Sequence, residues 1–273
     1  MKKIRILASF LIGSTLMVAC SKNSITGRNQ LKLLPESELQ AMGAQQYQQF
    51  LSENRPVSPS ADRDAEMVRR VGQRLTTAIT NYYNQKGIGE QLKGYNWEYN
   101  LVNNKEANAW CMPGGKIVVY SGLLPITQNE AALAVVIGHE ISHALFQHGN
   151  ERMSQGLIQQ GIGTALSVAL SSRPAETQNL FLQAYGIGST VFGTLPFSRT
   201  DESEADHWGL NFAAMAGYNP NEGLALWQRM AAASNGNKPP EFLSDHPSDE
   251  RRIRDIQKWM PEAMKYYKPI NRK

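Results

Sequence analysis

Two histidines and a glutamate in the middle of the chain have types and spacing that could bind a metal ion and move a proton beside it. His139 and His143 lie four residues apart, and Glu140 follows the first of them. On a helix, residues four apart share a face, so both imidazoles can bind one ion. Glu140 is rotated about 100° from His139, where it can act as general base toward a zinc-activated water. Two histidines with a carboxylate favour one zinc ion per chain.

A catalytic zinc requires a third protein ligand and an open position for water. Two acidic residues of a later segment, Glu202 and Asp206, are four apart on a predicted helix, so their carboxylates share a face. One could bind the metal while the other accepts the ring N–H of a ligating histidine. The alternative is a solvated acidic run. His148 lies five residues after His143, about 140° around the helix, and we expect it at the surface.

The elements that must position these residues are mostly helices. Apolar residues recur three and four apart in several stretches, and the sequence at 127–130 is a capping box that begins the helix carrying both histidines. Six helices are predicted, over 35–53, 60–85, 127–153, 199–217, 219–233 and 248–260. The expected fold class is α+β, predominantly helical, with a single domain over 34–273.

Two segments, 96–102 and 116–122, alternate or run through β-branched and aromatic residues and are predicted strands. Between them lies a predicted loop that turns at Pro113-Gly114-Gly115. The strand at Lys116–Tyr120 is expected to line the cleft as the edge of a small β-sheet, where a substrate peptide could pair with it as an added strand. The alternative is an internal strand whose edge is covered.

The first twenty residues are typical of an exported lipoprotein. A basic head precedes an apolar stretch too short to span a bilayer, and residues 16–20 resemble a bacterial lipobox that ends at Cys20. We therefore predict a signal peptide at 1–19, lipidation of Cys20 and a polar tether over 20–33. A plain secretory signal with an incidental cysteine is the alternative. The expected location is the periplasm, lipid-anchored to a membrane, with the outer membrane favoured by the residues after the cysteine.

Residues 153–198 carry charges only in a short central stretch, 173–176. A transmembrane hairpin is one interpretation. Six asparagine and glutamine side chains and scattered glycines oppose it, because amides are costly in hydrocarbon. The favoured interpretation is an uncharged helical hairpin insertion packed on the domain.

Charge and cysteine content exclude further classes of protein. The formal net charge is +4, and loss of Lys2, Lys3 and Arg5 with the signal peptide leaves 25 of 28 basic side chains against 24 acidic ones, a net +1. Such a balance offers no electrostatic footprint for nucleic acid. Two cysteines also exclude a disulfide scaffold.

Several motifs, in order, resemble those of a known family. HExxH at 139–143 is followed by SRxxExxAD at 198–206, and the stretches 24–31, 108–120 and 246–251 also match. Together they are similar to the gluzincin zinc metallopeptidases grouped with the CaaX prenyl proteases, whose bacterial members include HtpX, BepA and LoiP. In size and lipidation the chain most resembles the LoiP-type periplasmic lipoproteins. The resemblance implies a zincin-type core with an HExxH active-site helix and a metallopeptidase domain over 34–273.

The resemblance also implies roles for particular residues. Glu202 would be the third zinc ligand, and Asp206 would support a ligating histidine. His246 would act with Glu140 in catalysis by stabilising the oxyanion, or would occupy the fourth zinc position in a resting form; a loop-capping histidine with neither role is the remaining interpretation. The residues expected to contact substrate are Asn108, Ala109 and Gly115.

The sequence therefore predicts a zinc-dependent endopeptidase. Its expected substrates are periplasmic or outer-membrane proteins, hydrolysed in envelope protein quality control, with Glu140 as general base. Expected partners are protein or peptide substrates, the membrane through the lipid anchor, and envelope proteins. The alternative is an envelope assembly or chaperone-like binding module in which protease activity is latent.

Overall fold

The structure, a computed structural model, describes residues 20–159, 174–185, 197–234, 242, 246 and 250–270. Helices dominate these ranges, and the strands form one two-stranded and one three-stranded sheet. The strands are β1 (Cys20–Lys22), β2 (Asn29–Leu31), β3 (Glu98–Val102), β4 (Ala109–Met112) and β5 (Lys116–Tyr120). The helices are α1 (Glu36–Glu53), α2 (Arg63–Gln85), α3 (Leu124–Thr127), α4 (Glu130–Leu145), α5 (His148–Gln159), α6 (Pro174–Ala184), α7 (Arg199–Met215), α8 (Asn221–Ser234) and α9 (Glu250–Tyr266).

The helix that carries HExxH begins and ends at local signals that differ from the prediction. Asn129, rather than Thr127, caps α4 by accepting the N–H of Ala132 at 2.9 Å. The single long helix expected through about Met153 is instead α4 followed by α5, because Gln147 adopts a left-handed φ of 57° between them. Because of that break, α5 does not continue the axis of α4.

A capping box fixes the start of α7. The Ser198 hydroxyl accepts the N–H of Asp201, and the Asp201 carboxylate accepts the N–H of Ser198. Two otherwise unpaired N-terminal amide groups are thereby satisfied. These two hydrogen bonds hold the backbone of the first turn of α7, which carries Glu202.

The three-stranded sheet has the order β3-β5-β4, so β5 is central. It pairs parallel with β3 and antiparallel with β4. The prediction that Lys116–Tyr120 forms the cleft edge is therefore wrong, and the edge strand is β4, which lies in the stretch predicted as a loop. The hairpin turn after Met112 places β4 and β5 side by side, and β3 covers the other side of β5. The predicted fold class, mostly helical with a small sheet, is confirmed.

Helices α4 and α7 cross at a pair of glycines. A Cβ added to Gly209 would lie 2.7 Å from the backbone nitrogen of His139, and one added to Gly138 would lie 2.8 Å from the Gly209 carbonyl oxygen. Both distances are shorter than real Cβ contacts allow, so only glycine permits this approach. The crossing sets the N-terminal half of α7 against the histidines of α4.

Residues 20–33, which the sequence predicts to be a polar tether, are folded onto the domain. β1 and β2 form an antiparallel hairpin. Gln30 of β2 is buried and donates to the carbonyl of Phe146 at 2.8 Å. Arg28 pairs with Glu151 at 2.8 Å. The predicted signal peptide at 1–19 lies outside the described residues, and lipidation of Cys20 stays a prediction.

The predicted hairpin insertion at 153–198 is described in part. Leu157 of α5 and Leu180 and Phe181 of α6 are buried together in one apolar cluster with Trp110 of β4. Residues 160–173 and 186–196 of the prediction lie outside the described residues. Among the helices of the described ranges, none combines the length and apolarity needed to cross a bilayer.

Candidate metal centre

Four buried side chains from three parts of the chain point their ligand atoms at one place. His139, His143, Glu202 and His246 each offer a ligand atom within 4.8 Å of the others. The two Nε2 atoms of the α4 histidines are 3.0 Å apart, and His143 Nε2 lies 3.4 Å from Glu202 Oε1. His246 Nδ1 lies 2.8 Å from the same oxygen and 3.2 Å from His139 Nε2. The predicted ligand set is thus brought together, with His246 in addition.

The proton positions around His139 show that this cluster suits a cation. Asp206 Oδ1, which only accepts, lies 3.0 Å from His139 Nδ1, so that nitrogen carries the proton. Burial lowers the pKa of His139 and of His143, which keeps both rings neutral. The Nε2 atom of His139 therefore carries no proton, and its lone pair faces His143 and Glu202. A divalent cation such as zinc would satisfy these converging electron-pair donors.

Arg252, which sequence reasoning missed, binds both carboxylates of the centre. Its Nε and Nη2 donate to the two oxygens of Asp206 at 2.7 and 2.6 Å, and its Nη1 lies 2.7 Å from Glu202 Oε2. Burial alone would raise the pKa of Glu202, but the His246 ring and Arg252 outweigh it and hold that pKa well below its usual range. Arg252 and His139 likewise lower the pKa of Asp206 against the effect of burial.

Glu140 stands beside the ligand cluster rather than within it. Its Oε1 lies 3.4 Å from His246 Nε2, and its side chain is 5% exposed. Together with Ala109 and Cys111 of β4 it lines a small cavity. A carboxylate between the metal ligands and an edge strand is placed to exchange a proton with a reacting group there.

Comparison with known proteins agrees with this geometry. Residues 65–260, well over half of the chain, match the model of Peptidase family M48.

The chain belongs to peptidase family M48.

M48 is a family of zinc-dependent metallopeptidases, and the chain is similar to several of its relatives. It is 36% identical to mitochondrial metalloendopeptidase OMA1 of Schizosaccharomyces pombe over 61% of this chain and 48% of that protein. It is 27% identical to human OMA1 over 90% and 47%. It is 30% identical to the β-barrel assembly-enhancing protease of Escherichia coli K12 over 58% and 33%. The chain spans about half or less of the length of these relatives.

These relatives confirm the predicted family and correct the predicted location. The OMA1 proteins are mitochondrial by name, and they contradict the expected location in the periplasm at the outer membrane. The finer resemblance to LoiP-type lipoproteins is not confirmed by these relatives.

In this M48 peptidase the cavity beside the metal ligands is nearly filled. Phe197 stacks on His143 with ring centroids 3.9 Å apart and on His246 at 5.4 Å, and the Arg152 guanidinium lies 3.7 Å from the Phe197 ring centroid. The cavity volume is about 10 Å³, which admits one water molecule at most. The described conformation therefore leaves no room for a peptide.

The residues predicted to contact substrate lie in different places. Ala109 lines the cavity. The Asn108 side chain accepts the N–H of Ala109 at 2.8 Å, while the Asn108 carbonyl accepts from Tyr120 of β5. Gly115 lies in the turn beyond the far end of β4, with φ of 83° and the ring of Trp97 against it. Gly115 thus shapes the turn and does not line the cavity.

His148 contradicts the expectation of a surface residue. It is fully buried, with Nδ1 2.9 Å from His143 Nδ1 and Nε2 3.0 Å from Glu204 Oε2. The helical-wheel argument failed because the chain breaks at Gln147 and begins a new helix at His148. No local sequence signal marks this break, since left-handed glutamine is uncommon.

Proposed function

We propose that the chain is a zinc-dependent endopeptidase that acts on unfolded or misassembled proteins in protein quality control. The observation that carries the proposal is the convergence of His139, His143 and Glu202 beside Glu140 and the edge strand β4. The names of the relatives, a metalloendopeptidase and a β-barrel assembly-enhancing protease, support it.

The proposed chemistry assigns a task to each side chain. Zinc held by His139, His143 and Glu202 would polarise the scissile carbonyl and lower the pKa of the attacking water. Glu140 accepts the proton of that water and passes it to the leaving amine. Asp206 holds the ring of His139 through its Nδ1–H, and Arg252 holds Asp206.

The substrate is proposed to bind as an extra strand along the outer edge of β4. The Asn108 carbonyl accepts the N–H of Tyr120, so by alternation the hydrogen-bonded pairs of the ladder also include Trp110 with Val118 and Met112 with Lys116. The backbone groups of Ala109 and Cys111 therefore face the outer edge of β4. A peptide paired there would be recognised through its backbone, largely independently of its sequence. Binding requires the Asn108 side chain to release the N–H of Ala109.

The conformation described here is proposed to be a resting one. His246 lies where a fourth ligand would be, and a catalytic zinc keeps that position open. Phe197 covers His143 and His246 on the cavity side. Activity then requires His246 and Phe197 to move away from the ligands.

Substitution of Glu140 by Gln tests the proposed function. We expect Glu140→Gln to retain one zinc per chain, because Glu140 is not a ligand, and to lose casein cleavage by about 10²–10⁴-fold, as for loss of a general base. Metal analysis and digestion of unfolded casein measure the two effects. Glu53→Gln, an exposed change at the end of α1, is the control. Undiminished cleavage by Glu140→Gln would reject the proposal.

A second candidate function is favoured by the closed cavity. In a chaperone-like assembly module the chain would hold client proteins, with hydrolysis latent. The two candidates differ in what Glu140→Gln does to client binding and cleavage. The module would be favoured if the wild type bound unfolded clients as tightly as Glu140→Gln does. It would also require that neither the wild type nor His246→Ala cleaves these clients faster than Glu140→Gln.

A further inference from the structure

His148 lies between a proposed metal ligand and a carboxylate. It begins α5 directly after the left-handed Gln147 and is fully buried. One ring nitrogen, Nδ1, faces Nδ1 of His143 at 2.9 Å, and the other, Nε2, faces Glu204 Oε2 at 3.0 Å. The ring is therefore held at both nitrogens.

These contacts define where the protons sit. Glu204 as a carboxylate only accepts, so Nε2 of His148 carries the proton and donates it. In the neutral ring Nδ1 of His148 is then an acceptor, and the N–H must come from Nδ1 of His143. With its proton on Nδ1, His143 presents a bare Nε2 to Glu202 and His139. The opposite tautomer of His143 would point a hydrogen at the metal position.

Arg28, in the turn of the β1–β2 hairpin, contacts Glu204 and so holds the end of these contacts that is farthest from His143. Arg28 Nε donates to the same Glu204 oxygen at 3.0 Å, and Arg28 Nη2 donates to Asp201 at 2.6 Å. His148, Asp201 and Glu204 together could form a second metal-ligand group. The guanidinium already supplies the positive charge there, which argues against a second ion.

We propose that His148 is a positioning residue that fixes the metal-binding tautomer and orientation of His143, supported by Glu204 and Arg28. The inference rests on the proposed zinc ligands. His139 has its own support in Asp206, so each α4 histidine is oriented through its Nδ1 by a different partner. Loss of such a support costs about 10–100-fold in metal affinity.

Two amide substitutions, each of which replaces one ring nitrogen of His148, separate this role from simple packing. The side-chain oxygen of Asn lies near the position of Nδ1, so His148→Asn can still accept the His143 N–H. The amide of Gln lies near Nε2, so His148→Gln can still bond Glu204 but offers no acceptor to His143. Zinc affinity, measured by competition with a chromophoric chelator, should fall about 10–100-fold in His148→Gln and about threefold or less in His148→Asn. The melting temperature of the metal-free protein should change similarly in both.

Two further variants keep the test decisive. Glu204→Leu leaves the ring of His148 in place but removes its acceptor, and it should also weaken zinc binding; this variant carries the test if His148→Gln does not fold. Equal zinc affinities in His148→Asn and His148→Gln, or no loss in His148→Gln and Glu204→Leu, would overturn the inference. His143→Ala tests the foundation separately, since a full zinc affinity in that variant would remove the proposed ligand set itself.

Discussion

The ring of His246 lies beside the three proposed metal ligands, His139, His143 and Glu202, in the place of a fourth ligand. Its Nδ1 lies within 3.2 Å of His139 Nε2, and its Nε2 lies 3.4 Å from Glu140. One imidazole thus contacts the metal ligands and the proposed base at once. In the proposed resting state, the His246 ring obstructs the coordination position that water needs. It also obstructs Glu140, the proposed proton acceptor.

Removal of that ring should activate the enzyme. We expect His246→Ala to cleave unfolded casein about 5–10-fold faster than the wild type, which corresponds to a closing bias of about 1–1.4 kcal/mol. Initial rates at equal zinc loading measure the effect. His207→Ala, in a residue that contacts Glu262 away from the centre, should be unchanged. A loss of activity in His246→Ala would instead assign His246 to stabilising the oxyanion.

The sequence predicts side chains of the centre whose spacing lies within one helix. The four-residue interval gives His139 with His143, and the same interval on α7 selects Glu202 with Asp206. Arg252 and Phe197 could not be found in this way, because each reaches the centre from a separate segment through tertiary packing. The guanidinium of Arg252 lies 3.6 Å from the Trp227 ring centroid. No local sequence pattern encodes this contact.

At the scale of elements, the α4–α7 crossing decides whether the ligands meet. Gly138 immediately precedes His139, and Gly209 lies one turn beyond Asp206. The sequence predicts both helices but not their contact, since nothing in the periodicity of either helix identifies its partner. Strand β4 was missed for a related reason: the run Trp110-Cys111-Met112 is buried on both faces and shows no alternation.

The hairpin of β1 and β2 should stabilise the domain through Arg28. Its guanidinium pairs with Glu151, Asp201 and Glu204, whose side chains are 3–14% exposed. Arg28→Met leaves these buried carboxylates without their cation. We expect a loss of about 2 kcal/mol in the free energy of unfolding, below the value for a fully buried pair because Arg28 is partly exposed. Urea denaturation of the metal-free protein measures it.

Arg55→Met, an exposed arginine in the loop after α1, is the matched control for Arg28→Met and should change the unfolding free energy by less than about 0.5 kcal/mol. If residues 20–33 were a tether free of the domain, both substitutions would have the same small effect. A larger loss in Arg28→Met shows that the hairpin is part of the cooperative unit.

For the molecule as a whole, two sets of buried groups make stability depend on pH in opposite directions. Burial lowers the pKa of His139 and His143, so the unfolded chain takes up protons first and the metal-free fold loses stability as the pH falls below about 6.5. Burial raises the pKa of Glu36 to about 7. For Glu36 the folded state binds the proton more tightly, so stability is lost as the pH rises toward 7.

Glu36 lies in the first turn of α1, at the wall of a cavity of about 590 Å³. Gln40 donates to its Oε1 at 3.5 Å, and Lys32 and Tyr95 favour its charged form without outweighing burial. Gln cannot ionise and has nearly the same shape as Glu, so Glu36→Gln removes the cost of a buried charge and little else. The gain in unfolding free energy should begin above pH 4.5, where Glu36 ionises in the unfolded wild type while the folded protein still holds the proton.

We therefore expect Glu36→Gln to match the wild type in unfolding free energy near pH 4.5 and to exceed it by about 2–3 kcal/mol above pH 8. Urea unfolding of the metal-free proteins at half-unit steps of pH measures the difference, which should grow steadily from about pH 4.5 to about pH 7, reach half its final size near pH 6, and level off above pH 7. Glu38→Gln, exposed in the same turn of α1, should give a curve parallel to the wild type. A parallel curve for Glu36→Gln as well would mean that Glu36 is hydrated in solution and that the alkaline loss of stability arises elsewhere.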